Sequence, residues 1–216
     1  MPNAIDLTTI ETVAPILGAQ AADANLARMI TAASATIAKY VKYPLHRRID
    51  EAEVVASQGG KYLFLKAGAI RTINSIAIDD SEVPFGNYLL DNRQMGSIVH
   101  TKSTWPFTGT STGGVAPGKG DCIADGSIVV TFDAGYITPG QKTLDSSLTV
   151  DLEPDIEQAC IELVTSMWRK KGKDGDVASY SLGDGSVSYT SEKSNIPASV
   201  KAALKPYAKL TRRTFG

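Results

Sequence analysis

A chain of 216 residues, 43% hydrophobic and 21% charged, is long enough to bury a core without disulfide or metal staples and too apolar to be wholly disordered. Its formal net charge of −1 argues against a dedicated nucleic-acid binder, which draws on surplus Lys and Arg to neutralise phosphates, yet permits a protein that DNA merely passes. Nineteen glycines point to many turns.

The first 50 residues read as helical. Thr8 and Glu11 have capping-box spacing, which predicts a short helix from Thr8 that Pro15 and Gly18 keep short. Asp23 is a suitable N-cap for a longer helix, along which Leu26, Ile30, Ala33, Ile37 and Val41 recur every three or four residues. That helix is expected to end near Lys42, because Pro44 pushes Tyr43 out of the helical region. Alanines at 32, 33, 35 and 38 keep it slim enough for close packing.

From about 51 to 150 the pattern changes to short apolar or alternating runs between turn residues, which predicts strands at Glu53–Ala56, Tyr62–Lys66, Ile73–Ile78, Tyr88–Leu90, Ser97–Thr101 and Ser127–Phe132. Turns fall at Gln58-Gly59-Gly60, Asp79-Asp80-Ser81 and Asp91-Asn92. Strands so close in sequence favour hairpins, hence an antiparallel sheet or a small barrel. Residues 109–126, rich in Gly, Ser, Thr and Asp, are expected to form a long mobile loop.

Helical character returns at Pro154, a residue suited to a first turn. Ile156, Ala159, Cys160, Leu163, Val164, Met167 and Trp168 trace an apolar stripe, and Gly172 supplies a stop. After a polar, glycine-containing segment a last helix is expected from Pro197, carrying Val200, Leu204 and Tyr207, with Pro206 breaking or bending it. The fold class is therefore α+β: about four bundled helices with an inserted antiparallel β-sheet or small β-barrel. The stretches are 1–50, helical; 51–150, β-rich; and 151–216, completing the helical part.

Catalytic chemistry has no foothold in this sequence. His46 and His100 have no Cys or His at metal-ligand spacing, and Arg47 and Arg48 beside His46 oppose cation binding. Residues 113–120 match G-x-x-x-x-G-K, but Gly120 replaces the magnesium-binding Ser or Thr, and neither strand nor helix flanks the run. Asp79, Asp80 and Glu82, like Asp174 and Asp176, lack the ligand spacing of a calcium loop and read as solvated turns. Gly183-Asp184-Gly185 is too short for a dinucleotide fingerprint. No catalytic, cofactor-binding or metal-binding residue is assigned, and the chain is not expected to be an enzyme.

Cys122 and Cys160 form no disulfide framework, and Cys160, on the apolar stripe, reads as a buried thiol. The beginning Met-Pro-Asn-Ala-Ile-Asp has neither basic nor apolar signal regions, and no stretch is apolar enough to span a bilayer. Synthesis and folding in a reducing cytoplasm are expected.

Several phrases, in order, resemble the head-to-tail connector (adaptor) proteins of tailed bacteriophages, in the branch with a β-rich insertion. They are the opening helices, Ile70–Ile76, Tyr88-Leu89-Leu90-Asp91 followed by Gly96–Val99, Trp105-Pro106, and Ile128–Phe132 leading to Ala134-Gly135-Tyr136. The helix from Pro154, the segment Ser179–Tyr189, Ile196-Pro197 and Pro206-Tyr207 complete the series. The loop at 109–126 is longer than the pattern.

The resemblance implies a structural virion protein: a ring, commonly of twelve copies, joining the capsid portal to a tail-side neck or tail-completion protein and surrounding the DNA exit channel. Double-stranded DNA would pass without sequence-specific contact and no membrane would be involved. The subunit would be made in the host cytoplasm and end in the virion neck. Two basic surfaces could serve such assembly. Arg169, Lys170, Lys171 and Lys173 end the long helix, where cations are favoured by the helix dipole. They would stabilise that end or line the channel or interface. Lys205, Lys209, Arg212, Arg213 and Phe215 combine cations with an aromatic and suit docking on the portal. The alternative is a basic-tailed DNA-binding accessory protein that forms no ring.

Overall fold

The computed structural model describes residues 2–20, 23–108, 128–171, 179–182, 185–188 and 196–209. They divide into a helical unit, comprising residues up to Val41 and from Thr138 to Ala208, and a β unit, comprising Lys42–Ile137 and Lys209.

The helical unit contains α1 (Ile10–Leu17), α2 (Ala24–Val41), α3 (Pro139–Leu144), α4 (Pro154–Lys170) and α5 (Ala198–Leu204). Helix α2 packs on α1 and α4, and α4 also packs on α5. The facing stripes are Leu26, Ile30, Ala33 and Ile37 on α2 and Ile156, Ala159, Cys160, Leu163 and Val164 on α4, all buried. Met167 and Trp168, expected on the same stripe, are half-buried instead. Val200 and Leu204 close the core from α5.

Asp23 caps α2 as expected, its Oδ1 accepting from the amides of Asn25 at 2.7 Å and Leu26 at 3.3 Å. The cap of α1 lies one residue later than the expected Thr8. Thr9 Oγ1 accepts from the Thr12 amide, whereas the buried Thr8 hydroxyl donates to Glu157 Oε1 at 3.3 Å. A tertiary acceptor has taken the hydroxyl that the local pattern assigned to capping. Helix α3 had no expected counterpart. It starts with a full capping box between Thr138 and Gln141 and has Pro139 in its first turn. Gly140 has to be glycine, because a Cβ there would lie 2.2 Å from Asn3 O.

The β unit contains β1 (Arg48–Val55), β2 (Tyr62–Phe64), β3 (Ile70–Ile78), β4 (Ser81–Glu82), β5 (Tyr88–Asn92), β6 (Ser97–His100) and β7 (Ile128–Ala134). They form two antiparallel sheets, ordered β1-β7-β3-β4 and β2-β6-β5. Sequential hairpins account only for β3–β4 and β5–β6. The pairs β1–β7, β3–β7 and β2–β6 join strands distant in sequence, so the expectation of mainly local pairing is corrected. Strand β7 becomes central because it alternates cleanly: Ile128, Val130, Phe132 and Ala134 are buried while Val129, Thr131 and Asp133 are half-buried.

Inward residues of both sheets, among them Leu63, Ile73, Ile76, Ile98, Val130 and Phe132, build one apolar cluster with Trp105. Each such side chain contributes about 1.5–3 kcal/mol by leaving water. The β3–β4 connection is a two-residue turn in which Asp79 and Asp80 have φ of 49° and 62°, the primed geometry that matches strand twist. A separate antiparallel hairpin joins β8 (Ser179–Leu182) to β9 (Gly185–Ser188).

Candidate functional site: assembly surfaces

The basic end of α4 is built by local rules. Glu153 and Pro154 start the helix, Asp155 and Glu157 lie in its first turn, and Arg169 and Lys170 lie in its last, each sign matching the nearby end of the macrodipole. Arg169 and Lys170 are exposed. Lys171 donates its amide to Trp168 O at 3.0 Å and holds Nζ 4.3 Å from the Trp168 ring centroid, a cation–π contact that fixes the ring at the helix end. Lys173 lies outside the described residues. Arg169 and Lys170 also edge an open groove of about 590 Å³ bordered by Ile16 of α1 and Ser199 of α5. The groove is held at one point by Ser199 Oγ donating to Glu162 Oε2 at 3.2 Å.

The second basic group is divided by the fold. Lys205 ends α5 and is exposed. Lys209 is turned into the β unit, where Nζ donates to Leu65 O and to Ala67 O, the latter at 2.7 Å. Burial pulls its pKa down to about 8, with Glu53 opposing the shift. Gly96, with φ of +62°, lets the backbone approach this site closely, since a Cβ there would lie 2.5 Å from Ala67 O, one of the two acceptors. Lys209 thus already has acceptors within the chain. No periodic signal in the sequence announces it. Arg212, Arg213 and Phe215 lie outside the described residues, as do the loop at 109–126, the glycine-rich run at 113–120, and Cys122, Asp174, Asp176, Gly183 and Asp184.

Side chains that could have supported chemistry have structural partners. His100 stacks edge-on against Trp105 with centroids 5.0 Å apart, and its Nδ1 accepts from the amides of Lys102 at 3.3 Å and Ser103 at 3.0 Å. Burial, reinforced by Lys102, lowers its pKa. His46 is lowered by burial and by Arg48, with Glu51 opposing. Asp133 accepts from the Asp50 amide at 3.0 Å and from Asn74 Nδ2 at 2.9 Å, and these bonds, with Arg47 and Arg71 nearby, hold its carboxyl below the usual range. Cys160 is buried, and desolvation pushes its thiol up to about 12 despite Ser34. Among the described residues no group of three or more His, Cys, Asp and Glu could hold a metal ion. What the arrangement offers is surface: a basic helix end, a groove beside it, and apolar sheet faces.

Residues 6–210 match the family described as head completion protein. No curated protein matches the chain. Among solved structures, a chain in the neck of a native gene transfer agent particle, computed with C12 symmetry, is 14% identical, with a TM-score of 0.55, covering 99% of this chain and 94% of that one. A chain in the virion of a native gene transfer agent particle is 15% identical at a TM-score of 0.53, with coverages of 97% and 93%. One from the neck of an empty particle, computed with C6 symmetry, is 15% identical at 0.54, with coverages of 99% and 95%. At these identities the likeness is one of fold, and it extends over nearly the whole chain.

Proposed function

This chain belongs to the head completion protein family, and from that premise we propose that it is a non-enzymatic structural subunit of the virion neck. In this reading twelve copies close into a ring that joins the capsid portal to a tail-side neck or tail-completion protein, and packaged DNA passes through the centre. The family match over residues 6–210 carries the proposal. The fold likeness to a chain in a particle neck computed with C12 symmetry supports it and agrees with a subunit number of twelve. A net charge of −1 agrees with a conduit, because strong phosphate binding by every subunit would retard the duplex.

In the same reading the segment after Lys209 docks on the portal, with Arg212 and Arg213 paired to carboxylates and Phe215 in an apolar pocket. Lys205 adds charge beside it. Lys209 anchors the start of this segment through its bonds to Leu65 O and Ala67 O. Arg169, Lys170, Lys171 and Lys173 face the channel or a neighbouring subunit. Cryo-electron microscopy of the purified protein with portal, and of particles containing it, tests the whole reading. The expected image is a ring on the portal's DNA exit. A chain that stays monomeric at high concentration and leaves portals unoccupied refutes it, and salt-sensitive DNA affinity without a ring would favour the accessory-protein alternative.

A further inference from the structure

Each sheet of the β unit packs one face on the shared core, so its other face points away from that core. On the three-stranded sheet the register sets Tyr62, Val99 and Leu89 side by side across β2, β6 and β5. Tyr62 is 50% and Leu89 61% exposed, and the Phe64 ring extends the row by stacking on Tyr62 with centroids 6.2 Å apart. The exposed charged residues flanking these strands are mainly basic: Lys61, Lys66 and Arg93 against Asp91.

The four-stranded sheet presents the opposite combination. Val54, Val129 and Ala77 are aligned across β1, β7 and β3, and Val54 is 66% exposed. Glu82 of β4 stands opposite Ala77, and the turn beside it carries Asp79 and Asp80, all three exposed. One molecule therefore carries two different apolar rows, one with a basic rim and one with an acidic rim.

We propose that the Tyr62–Val99–Leu89 face of one copy packs on the Val54–Val129–Ala77 face of the next, so that the β units form a continuous belt around the ring. Ring closure requires this kind of heterologous contact, in which two different patches meet. Contiguous exposed apolar surface marks an interaction site. The rims decide the pairing: Lys61 and Lys66 would meet Asp79, Asp80 and Glu82 across it, whereas either face against its own copy would bring like charges together. The inference rests on the ring reading above and adds the surfaces that close it.

Chemical cross-linking of the full chain in a Cys122→Ser background tests it. Cys160 is buried and stays silent. The double variant Leu89→Cys/Val54→Cys, treated as assembled rings with a short bis-maleimide, is expected to give a ladder of covalent oligomers. Each single cysteine variant should remain monomeric. As a second, independent measurement, Lys61→Glu/Lys66→Glu should abolish assembly while leaving the subunit folded, and adding Asp80→Lys/Glu82→Lys to the same chain should restore it. Rings seen by microscopy without a ladder overturn this inference and leave the ring reading intact. So do dimers from one single variant, or Leu89→Cys linking only to the portal. A wild-type chain that forms no ring under any condition overturns both.

Discussion

Replacing Leu163 with alanine tests whether α4 is the centre of the helical unit. Leu163 is 1% exposed and lies on the face that α4 turns to its neighbouring helices. The substitution removes three carbons, and at about 0.8 kcal/mol per methylene the lost transfer energy alone is about 2.4 kcal/mol. The space left behind adds a cavity cost, because neighbours held on rigid helices relax only in part, which brings the expected loss to about 2–5 kcal/mol. Urea unfolding followed by far-ultraviolet circular dichroism measures it, with an unchanged slope and a lower midpoint showing that stability alone has moved. Gln158→Ala on the same helix is the control, since an exposed mid-helix position away from special features changes stability by no more than about 0.5 kcal/mol. A loss for Leu163→Ala as small as that of the control would refute the packing argument.

Gly135 has φ of +83°, and a Cβ there would lie 2.1 Å from His46 O. Gly135→Ala should therefore cost about 2 kcal/mol or more through backbone strain and the clash, and a neutral result in a thermal melt would contradict the geometry. Lys209 titrates near 8 when folded, below its ordinary 10.5. The unfolded chain therefore binds more protons between those values, so the stability contributed by Lys209 should rise as pH rises from about 8 to 10.5. Comparison with Lys209→Met across that range isolates the effect, and parallel pH profiles would refute it. Cys160 should resist maleimide at pH 8 in the native state and react only after unfolding, because a buried thiol pushed to about 12 supplies almost no thiolate. Deleting residues 211–216 should leave the melting temperature nearly unchanged while weakening attachment to the portal; normal attachment would move the docking surface to the Arg169–Lys171 end of α4.

Much of the fold was written locally. Helices α2 and α4 were legible because a 3.6-residue apolar period over 17 or 18 residues admits few other structures, and Asp23 and Pro154 marked their starts. Six strands were legible as elements because alternation and turn residues bracket them, although β1 begins at Arg48 rather than near Glu53, and β4, β8 and β9 had no expected counterpart. Helix α3 was missed although Thr138-Pro139-Gly140-Gln141 is a capping box with proline at its first position. At six residues it has too little periodicity to stand out, and the cap was the available signal. The order of short phrases also carried the family resemblance, which the match over residues 6–210 bears out.

Pairing was another matter. Which strand lies beside which depends on burying inward faces together, and β7 entered between β1 and β3 because its alternating residues complete a cluster drawn from both sheets. Side-chain roles were redistributed for the same reason. Thr8 gave up capping once Glu157 came within reach, and Lys209, one more cation in a basic stretch by sequence, found two carbonyls turned toward it at Leu65 and Ala67. The apolar row Tyr62–Val99–Leu89 exists only after three strands are in register. The sequence by itself determined the longer helices, six of the strands, their order and the family, since propensity, capping and periodicity act between near neighbours. Partners distant along the chain were decided only by the tertiary structure, because hydrogen bonds and apolar contacts form wherever packing brings groups together.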